Sequence, residues 1–217
     1  MDLLVLLDGP SAVIVLGGTL LATMLRSGLG NCAATLRGLA ALAQPRFNYA
    51  RAQSEIAVQI QNIHRDGLYR AEPRHFGDRE FDEVADTLIE RRSVNALLLK
   101  HRAHRELRQE HSRVVVTTLG QAAETAPVFG LCGTLIGLSQ LNVAAGPAAS
   151  SANGLSTAIV TTLYGLLAAH IVLLPLASLV RRKAEAEEAE RQKLVDWLAE
   201  ELEKENHRQR AHRDEAA

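Results

Sequence analysis

Residues 125–180 read TAPVFGLCGTLIGLSQLNVAAGPAASSANGLSTAIVTTLYGLLAAHIVLLPLASLV, 56 positions without one Asp, Glu, Lys or Arg. A spanning helix needs about 20 mostly apolar residues to cross about 30 Å of hydrocarbon. The run therefore has room for two crossings and a turn. The turn is the small, breaker-rich segment Gly146-Pro147-Ala148-Ala149-Ser150-Ser151-Ala152-Asn153-Gly154. The run reads as a transmembrane hairpin, one helix over Val114–Val143 and the other over Leu155–Val180.

A third apolar stretch opens the sequence. Between Asp8 and Arg26 lie 17 uncharged residues, at the short end of the spanning range. A signal peptide would carry a basic start, and here the start carries Asp2 and Asp8. The stretch is expected to span as Pro10–Leu29. Arginines and lysines crowd the segment between Arg26 and Arg113 and follow the last span as Arg181, Arg182 and Lys183, while the hairpin turn has none. Basic residues mark the cytoplasmic side, so the N-terminus and the turn face outward and the C-terminus lies in the cytoplasm. The expected protein is an all-α, multi-pass inner-membrane protein with three transmembrane helices. Its parts are a first span (1–29), a cytoplasmic helical domain (30–113), the hairpin (114–180) and a cytoplasmic helical tail (181–217).

Ile56, Ile60 and Ile63 recur at helical spacing, and from Asp82 the pattern runs on into the second span. The tail places Leu194, Trp197, Leu198 and Leu202 on one face as a packing stripe. His64, His75, His101, His104 and His111 lie in charged sequence and are expected to face solvent. Cys32 and Cys132 are far apart and read as free, packing thiols. There is no P-loop, G-x-G-x-x-G, H-E-x-x-H or G-x-S-x-G motif. The basic C-terminus lacks the interleaved aromatics of a nucleic-acid surface. An enzyme, a cofactor or metal site and nucleic-acid binding are not expected.

Within the spans, Gly130, Gly133 and Gly137 in the second and Gly165 in the third are candidate helix-packing positions, because membrane helices associate through small residues. Thr134, Thr161 and Thr162 lie mid-span. Each hydroxyl has two readings, a bond to its own helix or an oxygen offered to a passing cation. Pro127 and Pro175 each deprive a carbonyl of its helical donor and read either as static kinks or as candidate hinges. His170 lies eleven residues before Arg181, about 16 Å along a helix axis. Ionisable groups at that depth are rare, and His170 reads either as a neutral, hydrogen-bonded histidine or as a candidate proton relay. No Asp or Glu sits at the bilayer centre. If protons cross here, the carboxylate that carries them belongs to another chain.

The stretch Ala126-Pro127-Val128-Phe129-Gly130-Leu131-Cys132-Gly133-Thr134-Leu135-Ile136-Gly137-Leu138 resembles the signature of the MotA/TolQ/ExbB proton-channel family. So does Leu155-Ser156-Thr157-Ala158-Ile159-Val160-Thr161-Thr162-Leu163-Tyr164-Gly165-Leu166. Within the family, Leu174-Pro175-Leu176-Ala177 and Pro10-Ser11-Ala12-Val13-Ile14-Val15-Leu16-Gly17-Gly18-Thr19 are similar to the flagellar stator A subunits, MotA and its sodium-driven relative PomA. Gly67-Leu68-Tyr69-Arg70-Ala71-Glu72 resembles their rotor-facing motif, in which Glu72 matches the acidic residue. His64, with Arg65 beside it, stands where the family has arginine. Stator A subunits usually have four spans, and the first is missing from this sequence; it is read either as a natural three-span form, as in ExbB and TolQ, or as a sequence whose start is assigned too late.

The resemblance implies a homo-oligomer, a pentamer, around single-span MotB/ExbD/TolR-like partners that carry a membrane Asp. It implies transport of H⁺ or Na⁺ coupled to mechanical work, flagellar rotation being the stator branch's output. Thr134 and Thr162 match positions where sodium-driven stators keep hydroxyls. Two other readings stay open: an ExbB/TolQ-like energiser of an outer-membrane or envelope system, and a non-conducting membrane scaffold.

Overall fold

Asp8 starts the first helix by capping it. Its carboxylate accepts from the Ser11 N–H at 3.2 Å, and Pro10 occupies the first turn, where a missing N–H costs nothing. In this computed structural model, helix α1 then runs over Gly9–Ala41, with a π turn at Val13–Gly17. Helix α2 covers Val94–Val143, α3 covers Ala149–Leu167, a π segment covers Ala168–Leu173, and α4 covers Leu174–Glu215. The structure describes residues 8–43, 49–50, 53–54, 57, 94–143 and 149–215, with side chains described within 98–139 and 154–201 in the last two stretches. All regular elements among the described residues are helical, and three helices, within Gly9–Ala41, Leu98–Ser139 and Gly154–Glu201, each contain a segment long and apolar enough to cross a membrane.

The first helix continues past the expected end of its span at Leu29, but it is broken there. Gly28 has φ 81° and ψ 154°, a conformation essentially reserved for glycine. The break falls two residues after Arg26, the first charge beyond the apolar stretch. The hairpin turn is shorter than the sequence suggests, because α3 already begins at Ala149. Ala149, Ser150 and Ser151 read as loop residues, yet alanine is the strongest helix former and serine is at home near a helix start.

The chain divides into two compact units. The first contains Met1–Gln44 and His111–Arg182. Its apolar core has two parts. Val115, Leu119, Ala177 and Val180 pack with Leu39, Leu42 and Leu176, while Ala123 and Ala126 pack against Ala169. The hydroxyls of Thr19, Thr23 and Thr35 donate to carbonyls four residues back at 2.6–2.7 Å. That lets three polar side chains lie in apolar contact without an unmet donor.

The second unit contains Pro45–Glu110 and Lys183–Ala217. Leu194 and Leu198 are buried as the packing stripe requires, Val195 joins them, and Trp197 is half-buried. The Leu202 side chain lies outside the described residues. One expectation is overturned here. His101 is 6% exposed, not solvent-facing. It sits on the α2 face that meets Glu188 of α4, where the neighbouring Arg105 and Arg108 also gather. Charged sequence on either side hid a buried position. His104 is half-exposed and His111 exposed.

Candidate ion pathway

The α2–α3 contact is made by backbone meeting backbone. A methyl group on Gly130 would lie 2.9 Å from Thr161 O, and one on Gly137 would lie 2.7 Å from Gly154 O. One on Gly165 would lie 2.7 Å from Ala126 O and 3.2 Å from the Cα atoms of Gly130 and Pro127. One on Gly133 would lie 2.6 Å from Thr161 Cβ. The four glycines singled out in the sequence thus make a single seam. Close approach of this kind is how helices associate where lipid supplies no hydrophobic drive.

The seam fixes where the threonines point. Thr161 is fully buried against Gly133, and its hydroxyl donates to Thr157 O and Ala158 O at 3.0 and 3.1 Å. It packs the seam. Thr134 and Thr162 each stand one residue past the Gly133–Thr161 contact. A step of about 100° in two antiparallel right-handed helices carries both to the same side of the seam. Both are half-buried, with hydroxyls turned back onto their own helices, Thr134 to Leu131 O at 2.6 Å and Thr162 to Ala158 O at 3.3 Å. His170 follows the seam residue Ala169 by one position and is exposed on that same side, and Pro127 follows Ala126 in the same way. The structure therefore brings Thr134, Thr162, His170 and Pro127 to one face of the hairpin and puts Thr161 inside it.

The opposite side is covered by α1. Phe129 and Tyr164 each precede a seam glycine by one residue. A methyl on Gly18 of α1 would strike the Phe129 ring, and the Asp8 N–H donates to the Tyr164 hydroxyl at 3.2 Å. Lower on α1, Arg26 pairs with Glu124 at 3.1 Å, and the Ser27 hydroxyl donates to Gln121 Oε1. Sequence reasoning missed these contacts. A usable signal was present for one of them, because Arg26 and Glu124 are the first opposite charges beyond two adjacent apolar runs.

Pro175 is preceded by the π segment. The Leu174 N–H donates to Ala169 O, five residues back. A regular α-helix would give that donor to His170 O, and a continued π turn would give it the N–H of residue 175, which proline lacks. Neither donor reaches the His170 carbonyl, which sits deep in the expected span. His64, Arg65 and Glu72 lie outside the described residues. Cys132, expected to pack, is exposed on α2. No group of three or more His, Cys, Asp or Glu side chains among the described residues is arranged to hold a metal.

Three comparisons bear on this arrangement. A model of the MotA/TolQ/ExbB proton channel family matches residues 74–193, more than half of the chain. Motility protein A of Treponema phagedenis is 28% identical over 110 residues, which cover 51% of this chain and 41% of that protein. The match thus spans about two fifths of that relative's length. The flagellar MotAB stator complex from Bacillus subtilis contains a chain of similar fold, with a TM-score of 0.79 and 17% identity over 94% of this chain and 81% of that one. C. jejuni MotAB contains another, with a TM-score of 0.80 and 20% identity over 94% of this chain and 85% of that one.

Proposed function

The chain belongs to the MotA/TolQ/ExbB proton channel family, and from that premise we propose that it is the A-type subunit of an ion-driven, stator-like motor in a bacterial inner membrane. One observation carries the reading. The hairpin is two-sided: α1 covers the Phe129–Tyr164 side, and the other side presents Thr134, Thr162, His170 and Pro127 together with exposed Leu131, Leu138, Ile159 and Leu166. An apolar face with a few hydroxyls and one imidazole at mid-span suits a neighbouring helix that brings its own carboxylate.

In this reading five copies surround single-span partners, and each copy turns that face inward. The partner's membrane Asp is neutralised by H⁺ or Na⁺, passes the Thr134–Thr162 level, and releases its ion toward the cytoplasm. The α2–α3 seam, locked by glycines, moves as one body, and Pro127 and Pro175 are where its helices bend. The N-terminus lies on the periplasmic side and the C-terminus in the cytoplasm, in accord with the basic residues at 181–183. By its resemblance to the stator branch, the motif that holds His64, Arg65 and Glu72 meets the rotor, and rotation of a flagellar rotor is the output.

The test replaces Thr134 and Thr162 with Val, singly and together, in cells that also express the partner. Each change removes a hydroxyl and keeps the shape. The expected result is an assembled complex with ion-driven work reduced at least tenfold in the double variant. Full work from it would sink the ion-path role of this face. Co-purification in mild detergent supplies the partner: a single-span protein with a membrane Asp and a peptidoglycan-binding domain is expected. A partner bound to an outer-membrane system would redirect the output to envelope energisation, and the absence of any single-span partner would leave a scaffold.

A further inference from the structure

Beyond the spans, ion conduction leaves one cluster without a role. In the second unit, His101, Arg105 and Arg108 recur at i, i+4 and i+7 along α2 and gather around Glu188 of α4. Arg108 donates Nε and Nη2 to Glu188 Oε2 at 3.1 and 2.9 Å. Arg105 Nε stands 3.6 Å from Glu188 Oε1, and its Nη1 donates to Gln192 Oε1 at 3.4 Å. Gln192 also bonds the His101 side chain and donates to Asp196 Oδ1 at 2.8 Å. His101 Nε2 faces Glu188 Oε1 at 3.7 Å, beyond hydrogen-bonding distance. The two side chains are only 8% and 13% exposed, and these two facing atoms are buried without a hydrogen-bond partner.

The charge count makes this arrangement sensitive to one proton. Among the described residues two guanidiniums already share the Glu188 carboxylate, so a proton on His101 would add a third positive charge beside it. Burial holds the imidazole below its ordinary value of 6.5; Glu188 pulls it up, Arg108 pushes it down, the Gln192 hydrogen bond raises it and Arg105 lowers it again, the net effect being downward. We infer that His101 and its carboxylate and guanidinium neighbours form an acid-released latch between α2 and α4, closed while the imidazole is neutral and opened when it takes a proton. Because the closed form binds the proton more weakly than the open form, closure is complete above pH 6.5 and weakens as the pH falls below it. If the closed form took no proton at all, the open-to-closed ratio would rise about tenfold between pH 7.5 and 5.5. On the orientation proposed above, the latch faces the compartment that receives the ions. Acid accumulating there would slacken the motor's own arms. Only that regulatory role rests on the proposed function.

The test reads opening on the full chain in lipid nanodiscs, with Cys32 and Cys132 replaced by Ala. A thiol is placed on the buried α4 stripe by Val195→Cys, and a reference thiol on its exposed face by Ala189→Cys. The ratio of their maleimide labelling rates cancels the pH dependence of the reagent. The ratio is expected to rise severalfold, up to about tenfold, from pH 7.5 to 5.5, and to stay flat when His101→Gln is added. A control His104→Gln keeps the rise. A flat ratio with His101 in place, or an equal rise in His101→Gln, overturns the latch. Neither outcome involves ion-coupled work, so failure here leaves the proposed function standing.

Discussion

Gly165→Ala and Gly120→Ala are the same chemical change with opposite expected outcomes. A methyl at Gly165 lands 2.7 Å from Ala126 O, with the Cα atoms of Gly130 and Pro127 at 3.2 Å. Ordinary contact begins near 3.4 Å, so α2 and α3 must separate by about 0.7 Å, a gap that forfeits a quarter to a half of each dispersion contact along the seam. All three obstacles are backbone atoms, and no rotamer change relieves them. Overpacking of this kind costs about 1–3 kcal/mol, and here the upper figure applies. Alanine returns about 1 kcal/mol of helix propensity, leaving a net loss of about 2 kcal/mol. Nothing lies within 4 Å of a methyl at Gly120, so that substitution keeps the propensity gain of about 1 kcal/mol. The pair should differ by about 3 kcal/mol.

The assay is reversible unfolding of the chain in mixed micelles of rising SDS fraction, followed by circular dichroism. A Gly165→Ala variant as stable as the parent, or no less stable than Gly120→Ala, would refute the close-packed seam. Gly133 adds an internal check. Its methyl would meet Thr161 Cβ at 2.6 Å, and Cβ stays fixed when a side chain rotates. Thr161→Ala should therefore fail to rescue Gly133→Ala, whereas Thr161→Gly should recover part of the loss.

Three further perturbations follow from the same geometry. Gly28→Ala forces a side chain into φ 81° and should cost about 1–3 kcal/mol in the same micelle titration; an unchanged midpoint would mean the helix does not break there. Glu188→Gln leaves Arg105 and Arg108 without their shared carboxylate and should cost about 2 kcal/mol, below the figure for a fully buried pair because Arg105 is 44% exposed; calorimetric melting checks this, and a loss under about 0.5 kcal/mol, typical of a surface pair, would count against the cluster. Pro175→Ala restores an N–H, so the π segment should relax toward a regular helix, with stability rising by about 1 kcal/mol or more while ion-driven work falls. Undiminished work in that variant would remove Pro175 from the mechanism.

The hairpin was legible because exclusion of charge from 56 consecutive residues has one common physical cause. What lay inside it was legible only as residue types. Gly17 and Gly18 look equivalent, yet a methyl on Gly18 would strike the Phe129 ring and one on Gly17 would meet nothing within 4 Å. Thr161 and Thr162 are neighbours of identical chemistry, and a 100° step decides that one packs the seam and the other flanks it. The π segment was invisible for a different reason. Pro175 announces a lost donor but not how the preceding turn redistributes the others. His101 was misread because burial outside the membrane was judged from charged neighbours in sequence, whereas i, i+4 and i+7 spacing puts those charges beside it on the face that meets Glu188.

Hydrogen bonding gives the two sides of the hairpin different meanings. Where α1 covers it, the polar groups are met within the chain: Asp8 with Ser11 and Tyr164, Arg26 with Glu124, Ser27 with Gln121. On the other side the threonine hydroxyls spend their protons on their own helices, and the His170 carbonyl has lost both of its regular donors. A carbonyl without its regular helical donors at bilayer depth gains from any donor brought to it, because no water there can serve. A neighbour that seats on this face therefore gains most by bringing a hydrogen-bond donor, and a carboxyl group is a donor only while it carries its proton. Once ionised, it meets carbonyl oxygens it can no longer bond. In the proposed motor, the same face that accepts the protonated partner would repel the deprotonated one, which is the asymmetry an ion-driven step requires.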